Sequence, residues 1–132
     1  MYKIYINEFL HKIFFNLVFA RAISDNVQYN LTPLWSYPVI VAGGSRGRRV
    51  LAQVVMNIVM GIPIGVLLPC ALKTRFLRTV LCGFLFSVLI EILQFFTHTG
   101  LCEVDDIMHN TLGTVLGYSL FAVIHFIRRK IN

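Results

Sequence analysis

The sequence predicts an all-α integral membrane bundle of four helices, and three observations carry that prediction. Of the 132 residues, 57% are hydrophobic and only 14% charged, with a mean hydropathy of +0.73. A soluble domain of this length needs more charge to cover its surface. Three apolar runs are each long enough to cross the hydrocarbon core, which takes about twenty helical residues. The runs are continuous rather than alternating, so they read as helices and not as strands of a closed barrel. The length suits a single membrane domain over residues 1–132, with helices expected at about 3–23, 50–72, 76–98 and 106–127.

The first segment is the most charged. Ile13 to Ala20 is apolar, but Glu8, His11, Lys12 and Arg21 flank it closely. Such a stretch reads as a tilted span with snorkelling ends or as an amphipathic surface helix. Ser24 to Arg49 contains Asn, Pro and Gly signals and is expected to be a loop. Tyr29, Trp35 and Tyr37 within it suit the headgroup level.

The next three segments read plainly. Val50 to Leu72 has no charged residue, Thr79 to Cys102 has a single charge, Glu91, and Ile107 to Ile127 has none with His109 and His125 neutral. Lys73, Arg75 and Arg78 follow the first of these, and Arg128, Arg129 and Lys130 close the chain, so both basic clusters are expected on the cytoplasmic side. Both termini are then cytoplasmic. Glu103, Asp105 and Asp106 form an outward loop, with Glu103 and Asp105 expected to be solvated. Arg46, Arg48 and Arg49 fall outside under this topology, against the usual bias, which fits phosphate binding. The net charge of +6 comes from clusters between and after apolar runs, an arrangement for membrane orientation and not for nucleic acid.

Each apolar helix carries a stripe of small or polar residues. These are Asn57, Gly61 and Gly65; Gly83, Ser87, Glu91 and Gln94; and Asp106, Asn110, Gly113 and Gly117. Spacings of three and four put each set on one helix face, where small residues let backbones approach in lipid. The polar groups should meet in the outer half of the membrane. An intramembrane carboxylate is costly and marks a functional site by default. Two structural roles stand beside that one: Glu91 as polar glue bonded to Asn57 or Asn110, and Asp106 as the N-cap of the last helix. Cys70, Cys82 and Cys102 lack the spacing of a zinc site.

The motifs SVLIEILQF (Ser87 to Phe95) and GLCEVDDIMHNTLGTVLG (Gly100 to Gly117) resemble the VanZ-like membrane proteins. YNLTPLW (Tyr29 to Trp35) and NIVMGIPIGVLLP (Asn57 to Pro69) are similar to that family's upstream segments. Leu34 replaces a usual aromatic, and Met60-Gly61 a usual Phe. The resemblance implies a multipass protein of the bacterial cell membrane, in a family named for lowered susceptibility to the glycopeptide teicoplanin.

Three functions are compatible with these residues. In the first, Asn57, Gln94 and Asn110 hold the polar head of an anionic lipid-linked or cell-wall ligand, with Arg46, Arg48 and Arg49 on its phosphate. In the second, Glu91 and Asp106 share acid and base catalysis on a lipid or envelope precursor. No cofactor is indicated, although a divalent cation among oxygen ligands would suit that chemistry. The third is a small transporter or proton relay. Membrane lipids are the expected surroundings, and the GxxxG-type stripes leave a homo-oligomer open.

Overall fold

The computed structural model describes residues 29–98 and 100–131. The expected first helix at about 3–23 lies outside the described residues. Those residues form an all-α bundle with four helices and two very short strands in the order β1 (Tyr29–Asn30), α1 (Ser36–Ala42), α2 (Gly44–Leu72), α3 (Phe76–Thr97), β2 (Cys102–Glu103) and α4 (Val104–Ile131). The helices α2, α3 and α4 are long and apolar enough to cross a membrane. β1 and β2 pair in parallel, Tyr29 with Cys102 and Asn30 with Glu103.

The expected loop before the first strong span is largely structured. α1 occupies its middle, and α2 begins at Gly44 rather than near Val50, so Arg46, Arg48 and Arg49 are helical. The turn between α1 and α2 is made by Gly43 and Gly44, with φ of 74° and 72°. Side-chain-bearing residues avoid that region, so the glycines permit the sharp reversal. The Pro and Gly content read as loop is instead the chemistry of an αα-hairpin. Gly47 completes the hairpin, because a Cβ there would press on the backbone oxygens of Val39 and Ile40.

The small-residue stripes do what their spacing predicts. Gly61 meets Gly113, and Gly65 meets Gly117, with backbone against backbone. α2 and α4 therefore run parallel in fixed register, which sets Gln53 level with Asp105 and Asn57 level with His109. On α3, Gly83 lies against Thr114 and Ser87 bonds Asn110, so α3 runs antiparallel to α4. Continued one turn, that register brings Glu91 level with Asp106. Thr79, Ser87 and Thr114 are almost fully buried, while Leu, Phe and Ile side chains on all three long helices are exposed. This is the pattern of a bundle whose solvent is lipid: polar and small groups inside, large apolar groups outside.

Helix lengths locate the two ends. α2 starts about two turns (~12 Å) before the level at which α4 begins. The α1–α2 hairpin therefore projects at the end that holds β1 and β2, called here the strand end. The Lys73–Arg75 turn and the tail Arg128–Lys130 lie at the opposite, basic end.

Candidate functional site

The site is built at the strand end in three tiers. In the deepest, the amide Nδ2 of Asn110 donates to Ser87 Oγ at 2.9 Å. Asn57 is level with this pair, and its Nδ2 is buried without a partner, as is Asn110 Oδ1. One turn above, Gln53 Nε2 reaches Asp106 Oδ1 at 3.5 Å and donates to Glu103 Oε2 at 2.8 Å. Glu91 shares this level, and its Oε2 accepts the backbone N–H of Glu103 at 2.9 Å. The uppermost tier holds Glu103 and Gln94, the latter with a buried Oε1 that has no partner.

Three sequence expectations change here. Glu103 and Asp105 are not a solvated loop, being 2% and 1% exposed. The cause is tertiary: Gln53 covers Glu103, and Asp105 is enclosed by the strap before α1. Asp105 Oδ2 accepts the Ser36 N–H at 3.1 Å and the Ser36 hydroxyl at 2.6 Å, and its Oδ1 accepts the Leu34 N–H. Trp35, the residue at the N-cap of α1, offers no capping side chain, so Asp105 caps α1 from a different helix. Asp106 in turn is no N-cap, because α4 starts at Val104 and Asp106 sits in its first turn. There a carboxylate still suits the positive end of the helix dipole. Glu91 accepts the Glu103 backbone N–H and Asn110 donates to Ser87, so the cluster's polar contacts include pairs other than the Glu91–Asn57 or Glu91–Asn110 bond expected of polar glue.

Of the residues singled out by sequence, Glu91, Gln94, Asp106, Asn110 and Asn57 do gather at one end of the bundle. Arg46, Arg48 and Arg49 are exposed on the hairpin above them. Arg46, Arg49, Gln53 and Asn57 recur at i, i+3, i+7 and i+11, so they share a face of α2, with Arg48 turned away.

Gln53 was missed, although a signal existed. It stands four residues before Asn57 and extends the Asn57, Gly61, Gly65 stripe by one turn. Ser36 and Tyr37 had no such signal, since their partners lie about seventy positions away. Tyr37 Oη lies 3.3 Å from His109 Nε2, and His109 is only 3% exposed, with a buried Nδ1 that has no partner.

The electrostatics are those of a crowded acidic site. Burial pushes the Cys102 thiol above its ordinary range, and Glu91, Asp106 and Glu103 push it further in the same direction. Among the described residues, no group of three or more His, Cys, Asp and Glu side chains is arranged to hold a metal ion. The chemistry on offer is hydrogen bonding from buried amides and carboxylates, which suits hydroxyl and amide groups.

No curated protein and no solved structure matches the chain. A family profile described as VanZ/LLP1 matches residues 4–125, which covers the three long helices nearly to their end and every residue of the polar tiers. The chain belongs to the VanZ/LLP1 family.

Proposed function

We propose that the strand end of the bundle holds the polar head of an amphiphilic ligand, an anionic lipid-linked or cell-wall molecule, in the outer leaflet of a bacterial membrane. The burial of Glu91, Glu103 and Asp106 around Gln53, at one end of an otherwise apolar bundle, carries this reading. A carboxylate at the centre of a membrane helix costs about 2.5–3.5 kcal/mol, and less toward the interface. Packing alone needs no such groups where Gln or Ser would serve. Buried carboxylates and amides accept and donate hydrogen bonds to hydroxyl- or amide-bearing groups. Arg49 and Arg46, one and two turns above Gln53 on the same face, suit a phosphate attached to that head. The outward orientation is supported by the basic turn and basic tail at the opposite end.

Family membership supports a role in lowered teicoplanin susceptibility. The test is the teicoplanin response of a bacterial host producing the chain. Glu91→Gln and Asp106→Asn should each abolish protection while the protein stays in the membrane at its usual level. Arg46→Gln with Arg49→Gln should weaken it, and Arg48→Gln should not. Full protection by Glu91→Gln and Asp106→Asn, with loss only in Gly113→Leu, would leave packing as the cluster's whole role.

A further inference from the structure

The segment 29–42 is held to the bundle in an unusual way. Of its residues only Ser36 is buried. Leu31, Leu34, Tyr37 and Val41 instead face outward, with Val41 87% exposed. Apolar burial therefore does little to hold the segment down. Beside the hinge, Val39 and Ile40 pack on Gly47; away from it, the segment's fastenings are polar and local, and most of them fall on one stretch of chain. β1 pairs with Cys102 and Glu103, Leu34 and Ser36 bond Asp105, and Tyr37 approaches His109. Leu34 takes a left-handed conformation, φ 63°, to present its N–H to Asp105, a conformation that costs a branched apolar residue free energy.

At its far end the segment turns on Gly43 and Gly44. A Cβ at either glycine would meet nothing within 4 Å, so these glycines serve their positive φ and no close packing locks the turn itself. Two buried nitrogens along the segment's inner side have no partner, Trp35 Nε1 and His109 Nδ1. Burying such groups unpaired costs free energy, a cost that opening to water or ligand relieves.

We propose that residues 29–42 form a hinged gate, swinging on Gly43–Gly44 and latched by Asp105, through which an amphiphile enters the buried polar site from the plane of the bilayer. The gate rests on the reading of that cluster as a ligand site. Its apolar outer face makes lipid, and not water, the medium it opens toward. The ligand class follows: a molecule that is already in the membrane by its apolar part, and whose head replaces the latch contacts one at a time.

Cys102 is a built-in reporter, because it is paired with the gate at Tyr29 and only partly exposed. With Cys70→Ser and Cys82→Ser as background, the full chain in lipid vesicles is treated with N-ethylmaleimide and the rate of Cys102 labelling is measured. Asp105→Ala should raise the rate by about tenfold, and Ser36→Ala and Tyr37→Phe by a few fold each. Asp105 is not among the carboxylates that raise the Cys102 thiol, so loss of its charge does not enter directly. Because uncovering also relieves the burial that holds the thiol up, the rate is compared at a pH high enough to ionise it fully, where it reads access. The Ser36→Ala and Tyr37→Phe chains each lose a single hydroxyl, which keeps the test decisive if Asp105→Ala fails to fold. Parent labelling rates in the strap variants overturn the gate. The two readings fail separately, since full teicoplanin protection by Glu91→Gln removes the site while labelling reports on the strap alone.

Discussion

Asp105 and Glu103 show how far a side chain's role depends on residues far away in sequence. Asp105 satisfies two backbone N–H groups and one hydroxyl. Asp105→Ala should therefore lower stability by about 2 kcal/mol, with Asp105→Asn between it and the parent, as read by thermal unfolding in detergent. Asp106, one position later, looks into the bundle instead, so Asp106→Asn should affect function more than stability. Cys102 gives a pH test. Its thiolate is disfavoured first by burial and then by Glu91, Asp106 and Glu103. Alkylation should therefore rise with pH later than for a free thiol, and Glu103→Gln should move the profile partway down. A Cys102 profile matching that of a free thiol would contradict the acidic surroundings. Neither acidic residue's burial was legible from sequence, because a short acidic stretch between apolar runs reads as solvated. Leu34, Ser36 and Gln53, brought in by tertiary folding, help to bury them.

The helices were more legible than the residues between them. Four-residue spacing in the stripes exposes the packing seams directly, and Gly61, Gly65, Gly113 and Gly117 all meet a neighbouring helix backbone. Gly61→Ala or Gly113→Ala should each cost about 1–3 kcal/mol, because the added methyl has only main chain to push against. Gly83→Ala should cost less, since the Thr114 side chain, and not backbone, stands opposite. Unfolding midpoints of the three variants in one detergent would rank them. A Gly61→Ala midpoint equal to the parent would contradict the close approach. The α1–α2 hairpin escaped prediction because its Gly and Pro content is equally that of a loop. Whether such a stretch is helical is decided by Gly47 packing on Val39 and Ile40, a contact that periodicity cannot register.

At the scale of the molecule, the described residues place the acids with Arg46, Arg48 and Arg49 at one end, and Lys73, Arg75, Arg78, Arg128, Arg129 and Lys130 at the other. The topology proposed for the membrane makes Arg46→Cys reactive to impermeant thiol reagents from outside intact cells, and Lys130→Cys reactive only after permeabilisation. The reverse pattern would place the polar tiers on the cytoplasmic side and remove an outer-leaflet ligand. The stripes put Asn57, Glu91, Gln94, Asp106 and Asn110 on helix faces that pack together, and these residues lie toward the strand end. What they lacked was the cover, since nothing in the spacing of 29–42 announces a segment folded back over the acids.

The Gly61–Gly113 and Gly65–Gly117 contacts have a mechanical consequence. With no side chain between them, α2 and α4 have no soft layer along which to slide, and a shift of either would drive main chain into main chain. The pair is a rigid keel. Motion that serves the site must then belong to parts joined by replaceable hydrogen bonds, α3 at Ser87 and the strap at Asp105. Slowest amide exchange should fall along Gly113 to Gly117, and the fastest among the described helices in α1.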